Sequence, residues 1–557
     1  MMMTTVSCDD ILDTEPIDKI ALEQYIQDEA GLTSLLAGVY DALNNPSTGG
    51  YYQNLVWQTF DCTTDECYQN FFSGAVTGVT GNVFTTADNK VADLWRVCYL
   101  GIDRANQLIA NINVPVMDEN KRQEILGEAL FLRAYFHFIL IEYYRNIPLK
   151  LTPTTNPQDV KIPQSAPADV YAQIIKDMTE AESKVYDVDA PELGGAASRI
   201  NKTAIQGILA RVCLTMAGYP HNDTSKYAEA LKWATKVKNS GKHALNTYAD
   251  ATLNTPAYTF VGATKTVNVN AFTNNGYAQV FINLIQGKYN SKESMWEADA
   301  KGLNTQGYIE VTRLGIDNGI SVPANFADVL GANSGVSMFA MGSMYDKYQP
   351  GDLRRDWALY PFTFSSLPAK TTNVATLVQE PVPATTKFRS IGKYRRYYEL
   401  GLKNTSNTGI NFPILRYSDV LLMLAEAENR VNGPTAIAYD AVNQVRRRGY
   451  GLDINTASTA SDLPTGLSQG AFQLAIEDER ARELCFEGLR RLDLIRWGKW
   501  LQRMQDTGTY MGANAPSTAL KNMKIEYTNA VEKNMTLPIP LKEMGLNSKL
   551  VQNPLWQ

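Results

Sequence analysis

The chain has 557 residues, of which 44% are hydrophobic, 20% are charged and 10% are aromatic. This composition is close to that of an average globular protein and excludes a disordered, collagen-like or low-complexity chain. The formal net charge of −6 provides no basic field that could neutralise phosphates, so nucleic acid is excluded as an expected partner. Only 3 His residues are present, so acid–base or metal chemistry would have to depend on carboxylates.

The N-terminus is similar to the end of a secretory signal. Residues 1–7 are small or apolar, and they precede Cys8, which is followed by Asp9 and Asp10. Small residues before a cysteine are typical of a lipoprotein cleavage site. We therefore expect residues 1–8 to be the remnant of a lipoprotein signal. No apolar run of 18 residues follows, so no segment is expected to span a bilayer.

Apolar residues recur at spacings of three and four over much of the chain, which predicts amphipathic helices. The predicted helices cover residues 91–112, 124–144, 167–186, 201–217, 226–238, 417–431 and 435–447. Pairs of helices repeating at about 30 to 35 residues are typical of tetratricopeptide-like arrays, in which each pair buries its apolar face against its neighbours. The predicted fold class is therefore dominated by α-helices, with these pairs forming a superhelical scaffold.

The amino-acid composition changes between about residues 246 and 411. This stretch is rich in Gly, Asn, Thr and Tyr, with a short strand-like run at 294–298 and an expected long loop at 361–387. Loops on a rigid scaffold commonly carry binding sites, so we interpret the stretch as a variable ligand-binding insertion. We predict one domain over residues 9–557, with a helical scaffold at about 20–245 and 412–505 and a C-terminal segment at about 506–557.

The cysteines do not form a repeating framework. Cys98, Cys213 and Cys485 lie in apolar helical patterns, which predicts buried free thiols. Cys62 and Cys67 are close enough in sequence to form one local bridge, and the sequence leaves open whether they do.

Acidic and basic residues alternate from Glu477 to Arg496 at helical spacings. On one long helix this pattern predicts a structural charge ladder rather than a catalytic pair. The chain has no nucleophile elbow, zinc-protease, phosphate-loop or dinucleotide-binding motif. We therefore expect no enzymatic activity, no cofactor and no dedicated metal site. The sequence leaves open a structural cation, since carbonyl and carboxylate oxygens that are distant in sequence could converge.

Several segments occur together in a specific order. They are Cys8 to Pro16, Thr64 to Glu66, Trp95 to Asn106, Leu132 to Phe136, Tyr348 to Arg355, Leu415 to Leu422, Glu479 to Leu484, Glu487 to Gly498, Leu537 to Pro540 and Gln552 to Pro554. In sequence and order these segments resemble the SusD/RagB family of outer-membrane nutrient-binding lipoproteins of Bacteroidetes. The resemblance extends over nearly the whole chain.

The resemblance implies a helical domain of tetratricopeptide-like pairs with a variable ligand-binding region. It implies that Cys8 is lipidated and that the protein is anchored in the outer membrane, facing the medium. It further implies a partnership with a TonB-dependent SusC-like channel, to which family members deliver glycans or, in some branches, peptides.

Charged residues in the resembling segments are expected to form buried or half-buried ion pairs that fix helix packing, rather than to contact ligand. They are Arg416, Asp419, Glu426, Arg482, Glu483, Arg491, Asp493 and Arg496. Trp296 matches a core position of the family.

Sugars stack their C–H faces on aromatic rings and hydrogen-bond to Asn, Asp, Gln and Arg, so candidate ligand residues are rings and polar side chains in the irregular segments. The candidates are Tyr68, Asn70, Phe71, Phe72, Asn82, Phe84, Tyr289, Asn290, Asn304, Tyr308 and Arg313. These loops, rich in rings, favour an oligosaccharide as the ligand.

Three alternatives remain open from the sequence. The same protein could bind peptides or another nutrient, which would depend more on backbone hydrogen bonds than on stacked rings. A glycoside hydrolase would need two carboxylates converging in one cleft. A protein-binding adaptor would use the concave face of the helical array.

Overall fold

The structure is a computed structural model, and its described residues form one long series with short gaps. They are residues 26–44, 50–70, 76–253, 258–261, 265–269, 273–300, 302–303, 309–323, 326, 336–367, 375–400 and 407–557. Side chains are described throughout these ranges except at 258–261, 265–269, 302–303, 309–310, 366–367 and 375–376.

The first half of the chain is mostly helical. Its helices are α1 (Glu29–Asn44), α2 (Asn89–Asn111), α3 (Glu119–Tyr144), α4 (Pro167–Lys184), α5 (Lys202–Ala217) and α6 (Lys226–Asn239), with a π-helical segment at Tyr51–Phe60. Side chains cap several N-termini, as at α2, where Asp88 accepts a hydrogen bond from the Lys90 backbone N–H. Almost every residue of α3 from Glu124 onward is buried, because α1, α2 and α4 pack around it.

The helices of the second half begin within the insertion. They are α7 (Gly276–Ile285), α8 (Gly342–Lys347), α9 (Arg354–Ala358), α10 (Tyr417–Asn432), α11 (Ala436–Gly449), α12 (Gln469–Leu484), α13 (Arg490–Arg496), α14 (Trp500–Asn514), α15 (Thr518–Asn522), α16 (Ile525–Thr528) and α17 (Leu541–Leu546). Short 3-10 turns lie at Pro191–Leu193, Ala251–Leu253, Arg396–Tyr398, Glu532–Met535 and Pro554–Trp556.

Consecutive helices pack as an array. Helix α2 packs on α3, α3 on α4, α5 on α6, α6 on α10, and α10 on both α11 and α12. The predicted fold class, dominated by tetratricopeptide-like helix pairs, is confirmed. The helix predicted at 226–238 corresponds to α6 and that at 417–431 to α10, each within one residue at both ends.

Short strands connect the insertion to the scaffold. They are β1 (Cys67–Gln69), β2 (Tyr258–Val261), β3 (Lys265–Val269), β4 (Ser294–Ala298), β5 (Gly302–Leu303), β6 (Ile309–Glu310), β7 (Met338–Ala340), β8 (Phe362–Leu367), β9 (Ala375–Pro381), β10 (Arg389–Ser390) and β11 (Phe412–Arg416). The sheets have the orders β1-β7-β10, β11-β4, β2-β3-β9-β8 and β5-β6. Strand β4 is buried along its whole length, and its Trp296 is 0% exposed between Phe131 and Tyr135, as expected for a core residue.

Two expectations about local structure are wrong. Residues 361–387, expected to be a loop, contain β8 and β9, which pair antiparallel from Phe362–Pro381 to Leu367–Thr376. The single long charged helix is in fact two helices, α12 and α13, separated by a turn in which Phe486 (φ 62°) and Gly488 (φ 74°) have left-handed backbone conformations. A side chain at Gly488 would also fall on Val56, so the turn brings α13 close to the π-helical segment.

Alternating charges of α12 lie in the interior rather than on an exposed face. Arg416 donates to Glu483 Oε1 at 2.8 Å, to Glu293 Oε1 at 3.1 Å and to both oxygens of Glu487 at 2.8 Å. All four of these side chains are at most 2% exposed. We call these four residues, together with Arg354, Arg448, Glu479 and Lys393, the buried ion network.

The other charged residues singled out from the sequence are also buried. Asp419 binds Arg211 and Arg480, Glu426 binds Arg496, and Asp493 binds Arg480 and Arg496, with N–O distances of 2.5–2.8 Å. Arg482 pairs with Glu479. Arg491 forms no ion pair with a carboxylate among the described residues, but its backbone N–H donates to Asp61 Oδ1 at 2.7 Å. Ion pairing in helix packing is thus confirmed for this set apart from Arg491.

The buried turn at 61–66 binds residues far along the chain. Asp65 accepts two hydrogen bonds from Arg490, at 2.8 and 2.7 Å, across 425 residues of sequence. Tyr527 donates to the carbonyls of Thr64 and Cys67. This segment therefore takes its shape from the C-terminal part of the chain.

Five cysteines lie in the described residues, and all five are buried and free. The expectation of buried thiols at Cys98, Cys213 and Cys485 is confirmed. The thiols of Cys62 and Cys67 are free and hydrogen-bonded to each other, and this contact, burial and nearby carboxylates raise the pKa of Cys67. Cys8 lies outside the described residues.

Close packing of α2 on α3 requires a glycine at position 101. A Cβ added at Gly101 would overlap the ring of Phe136, whereas a Cβ at Gly38 in α1 would meet nothing within 4 Å. We expect Gly101→Ala to lower the free energy of unfolding by about 1–3 kcal/mol through overpacking. The control Gly38→Ala should raise it by about 0.5–1 kcal/mol, because alanine favours the helix. Urea unfolding of both variants tests this, and equal stabilities would contradict it.

Within the ranges that the structure describes, no helix combines the length and the apolar character that crossing a bilayer requires.

Candidate functional site

A pocket of about 330 Å³ lies between helices α1 and α3, the turn before α5, and strand β4. This volume is at the lower end of the range of small-molecule sites, roughly 300–1,000 Å³. Its lining residues are Thr33, Leu36, Ala37, Tyr40, Asp41, Leu43, Asn44, Lys121, Ile125, Ser198, Arg199, Glu297, Ala298 and Asp299. We call it the α1–β4 pocket.

Arg199 forms one wall of the pocket and is held by two buried acids of α3. Its guanidinium contacts Glu128 in a close ion pair and reaches Glu124 Oε1 at 3.4 Å. Tyr40 also donates to Glu128 Oε2 at 2.5 Å. Burial, together with the charge of Glu128, raises the pKa of Glu124 to about 8. Two carboxyl groups, those of Glu124 and Glu128, therefore lie beneath Arg199.

Strand β4 supplies the opposite wall. Glu297 and Asp299 are two residues apart in extended backbone, so their side chains project to the same side. Asn411 bridges them, with its Nδ2 2.8 Å from Glu297 Oε2 and 3.1 Å from Asp299 Oδ1. Burial raises the pKa of Glu297 to about 7. This wall consists mainly of acceptor oxygens.

Tyr289, one of the predicted ligand residues, contacts two residues of the pocket lining but is not part of that lining. Its hydroxyl donates to the carboxylate of Asp299, 2.6 Å from both oxygens, and lies 3.1 Å from Ser198 Oγ. The side chain is 37% exposed, so part of the ring is open. Asn290, the next residue, instead donates to Asn246 Oδ1 at 3.3 Å.

One buried oxygen of the pocket lining, Oδ1 of Asn44, has no hydrogen-bond partner among the described residues, and its residue is 6% exposed. The amide nitrogen of Asn44 does have a partner, the carbonyl of Asp299 at 2.7 Å. Buried polar atoms are usually satisfied, so Asn44 Oδ1 is an exception among the described residues of this wall.

Two further predicted residues come together at a different place. The backbone N–H of Asn70 donates to the carbonyl of Ser337 at 2.7 Å, and the N–H of Ser337 donates to the carbonyl of Asp317. The carboxylate of Asp317 binds Arg313 twice, at 2.6 and 2.7 Å, and also binds Gln58. Arg313 is 32% exposed. We call these five residues the Arg313 cluster.

Three predicted ligand residues are buried, which corrects the expectation that they lie in accessible loops. Tyr68 is 3% exposed in strand β1, where Phe339 and Phe388 pack around its ring. Phe84 is 4% exposed and packs against Trp556, with ring centroids 5.0 Å apart.

Asn82 is the third of these residues, at 5% exposed. It has a left-handed backbone with φ 54° and donates to the carbonyl of Glu526. Each of the three is covered by residues far away in sequence. The predicted residues Phe71, Phe72, Asn304 and Tyr308 lie outside the described residues.

Sequence reasoning missed Asn44, Arg199, Glu297 and Asp299. Asn44 lies at the end of a helix, Arg199 in a turn, and Glu297 and Asp299 in or beside a strand whose sequence is typical of a buried core strand. No local sequence pattern therefore identifies them as site residues. Within the described residues, no group of three or more His, Cys, Asp or Glu side chains could hold a metal ion.

Comparisons with known proteins agree with this architecture. Residues 368–556 match the family model described as the SusD family, and residues 10–214 match the model described as starch-binding, associating with outer membrane. A SusD-like protein of Formosa agariphila is 24% identical over 591 residues, spanning 99% of this chain and 96% of that protein.

Solved structures show the same fold. A SusD homolog from Bacteroides thetaiotaomicron has a TM-score of 0.79 and 27% identity, covering 96% of this chain and 98% of its own. Surface glycan-binding protein A from Bacteroides fluxus has a TM-score of 0.66 and 21% identity, covering 95% and 99%.

Proposed function

The chain belongs to the SusD/RagB family, and from that premise we propose that it binds oligosaccharides at the cell surface without catalysing a reaction. The observation that carries the proposal is the α1–β4 pocket, whose closely spaced acceptor oxygens lie beside the partly exposed ring of Tyr289, which is hydrogen-bonded to the lining residue Asp299. A sugar needs both elements, because its C–H face packs on a ring while its hydroxyls form hydrogen bonds.

The expected binding free energies are small enough for the protein to release its ligand. Covering roughly 100 Å² of ring surface contributes about 2.5 kcal/mol before ordering costs are subtracted. Apolar lining from Leu36, Ala37 and Leu43 adds to this contact. Affinities in the micromolar to millimolar range, about −8 to −4 kcal/mol, would permit transfer to a second protein.

We propose that the receiving protein is a TonB-dependent SusC-like channel of the outer membrane, and that Cys8 carries the lipid anchor. Family membership supports both steps. A triacylated cysteine would anchor the chain stably, since each buried CH₂ contributes about 0.8 kcal/mol. Co-purification of the channel from detergent-solubilised outer membranes tests the partnership. Recovery of the protein from the soluble fraction, without acylation of Cys8, would reject the anchor.

Replacing Tyr289 tests the pocket directly. We expect Tyr289→Ala to weaken binding of a recognised glycan by about ten-fold or more, because the ring contact is lost. Tyr289→Phe keeps the ring and should retain most of the affinity. Retardation gels against plant, host and microbial polysaccharides identify the glycan, and calorimetry measures the affinities.

A matched control for this series is Tyr248→Ala. The Tyr248 ring is 65% exposed, and no side-chain hydrogen bond among the described residues joins it to the pocket lining, whereas Tyr289 is hydrogen-bonded to Asp299 and Ser198. Its removal should leave binding unchanged. Equal affinities of the wild type and Tyr289→Ala would reject the pocket and direct attention to the Arg313 cluster, whose Asn70 and Arg313 remain proposed ligand contacts.

Other functions make different predictions in the same assays. A peptide receptor would bind a peptide mixture and no glycan. A hydrolase using Glu297 and Asp299 would release shorter saccharides from a bound glycan during long incubation, and their absence would support a binding role. An adaptor would show no affinity for small ligands.

A further inference from the structure

Cys62 and Cys67 flank a tight turn that leads into strand β1. Each side chain is 2% exposed, and the two thiols are hydrogen-bonded to each other. The backbone N–H of Thr64 donates to the carbonyl of Cys67 at 3.2 Å, so residues 63–66 fold back on themselves. The turn therefore brings the two sulfur atoms into contact, as formation of a disulfide bond requires.

The other described cysteines have different neighbours. Cys213 contacts the carboxylate of Glu229, and Cys485 contacts the hydroxyl of Tyr348. Cys98 lies on α2 and is 0% exposed. The contact between two thiols at the turn thus identifies one candidate pair within the part of the chain that the structure describes.

The C-terminal part of the chain covers this pair. Tyr527 donates to the carbonyl of Cys67 at 2.9 Å, and the carboxyl group of Glu526 accepts from the Thr63 hydroxyl at 3.3 Å. A reagent has almost no access to either sulfur in the folded chain, because both side chains are buried. Before the C-terminal part has packed on the turn, both sulfurs are open to reaction.

The thiols also become less reactive once they are covered. Contact with Cys62 raises the pKa of Cys67, and burial and nearby carboxylates raise it further. The thiolate is the nucleophile in thiol–disulfide exchange, so a raised pKa slows this exchange. Burial and a low content of thiolate therefore preserve whichever redox state the pair has when folding is complete.

The compartment in which the chain folds decides which redox state that is. The chain belongs to a family that associates with the outer membrane. A protein bound for that membrane passes through the periplasm, where disulfide bonds form and persist. The pair is therefore exposed to oxidants at the stage when its sulfur atoms are still accessible.

We propose that Cys62 and Cys67 are joined by a disulfide bond in the exported chain, formed before the C-terminal part covers the turn. One thiolate attacks an external protein disulfide, forms a mixed disulfide and releases one thiolate of that protein. The thiolate of the second cysteine then attacks the mixed disulfide and releases the other. The pair loses two protons and two electrons, which reduce the external disulfide to a dithiol. This inference rests on the outer-membrane location and not on the identity of the ligand.

Counting thiols in the full chain tests the proposal. The chain is recovered from outer membranes, unfolded, alkylated and digested with trypsin, and a second sample is reduced before alkylation. Residues 20–89 contain neither Lys nor Arg, so the peptide 20–90 carries both cysteines and no other. We expect roughly ten-fold less alkylation of this peptide without reduction, and a mass about 2 Da below that of the dithiol. After cleavage at Glu66, the two fragments should separate only on reduction.

Two controls accompany this measurement. Cys98 is a buried thiol on another element, and its full alkylation in both samples shows that unfolding and labelling were complete. Cys62→Ser removes one sulfur of the pair and should leave Cys67 fully alkylated without reduction. Free thiols at both positions of the wild type, or a bridge from either one to a different cysteine, would overturn the proposal. Absence of the chain from outer membranes would reject the location and this inference together.

The order of oxidation and packing is tested on the chain made in a reducing cytoplasm. Oxidised glutathione should join the two cysteines roughly ten-fold more slowly in the folded chain than in urea, because folding covers both sulfurs. Equal rates would overturn this order of events. Neither cysteine lines the α1–β4 pocket, so the glycan affinities test the proposed function separately.

Discussion

Replacing Arg416 by methionine is expected to lower the free energy of unfolding by about 3–5 kcal/mol. The guanidinium is 0% exposed and binds Glu293, Glu483 and Glu487, which are themselves 0–2% exposed. Methionine fills a similar volume but leaves these buried carboxylates short of one cation. The cost is the penalty for unpaired buried charge, which exceeds the net contribution of the pairs themselves.

Arg96→Met is the matched control for this experiment. Arg96 pairs with Asp93 at 3.3 Å on the surface of α2, where its side chain is 47% exposed. An exposed pair contributes at most about 1 kcal/mol, so this change should have little effect. Urea unfolding followed by tryptophan fluorescence measures both variants. A loss below about 1 kcal/mol for Arg416→Met would mean that Arg354, Arg448 and Lys393 compensate for the missing charge.

Stability should also depend strongly on pH, falling steeply in acid. Burial alone would raise the pKa of Glu483, but Arg448, Arg416 and Arg354 hold it at about 2. Arginine partners likewise hold Glu426 and Asp419 at pKa values of about 2, against the effect of burial. These carboxyls have unfolded pKa values of roughly 4, so they bind protons more weakly when folded. Their contribution is complete above about pH 4.5 and is lost as the pH falls to about 2.

Other buried carboxyls act in the opposite direction. Burial raises the pKa of Glu142 to about 8 and that of Asp61 to about 7. The folded state therefore holds these protons more tightly than the unfolded state does. Their contribution to stability is complete below about pH 4 and is lost as the pH rises towards 7 and 8. Together the two groups of carboxyls place the maximum of stability at about pH 4–5.

Urea titrations between pH 2.5 and 8.5 test this profile, with Glu142→Gln as the informative variant. Glutamine imitates the protonated side chain, whose Oε1 accepts from Thr215. We expect the variant to match the wild type near pH 4.5 and to exceed it by on the order of 2 kcal/mol at pH 8. A wild-type maximum at pH 7–8, or a variant that is less stable at pH 8, would contradict the assignment.

Helices of the scaffold could be predicted from the sequence because their apolar spacing is a local signal. The helix expected at 226–238 is observed as Lys226–Asn239, and the one expected at 435–447 is Ala436–Gly449. Their faces are buried by neighbours that carry the same spacing, so local pattern and tertiary packing agree.

Elsewhere the local pattern and the packing disagree. The charge ladder from Glu477 to Arg496 reads as one helix, but Phe486 and Gly488 turn the chain between α12 and α13. This turn brings Glu487 to Arg416 and Lys393, a contact that helical spacing cannot show. Strands β8 and β9 were missed because polar Ser, Thr and Gln within them resemble loop residues. Strand β9 also pairs with β3, which lies far earlier in the chain.

Candidate-site residues were harder to predict than the fold. A ring in a segment rich in Gly, Asn and Thr looks the same whether it is open, as at Tyr289, or covered, as at Phe84 by Trp556. Asn44 and Asp299 meet only because α1 packs beside β4, across 255 residues of sequence. Composition can identify the kinds of residue a site needs, but distant chain segments decide which of them face it.

Contacts of the turn at 61–66 also impose an order on folding. Asp65 is hydrogen-bonded to Arg490, 425 residues away in sequence, and the Thr64 carbonyl to Tyr527, 463 residues away. Helices α2 to α6 can pack on their neighbours as soon as each has been synthesised. Strand β1 and the turn before it cannot form all their contacts until the residues from 490 onward are present. A chain shortened before Arg490 would therefore hold a partly assembled helical array whose Asp65 has lost its arginine partner. Such a fragment is expected to be cut by proteases faster than the full chain, because the segment around β1 lacks the contacts that bury it.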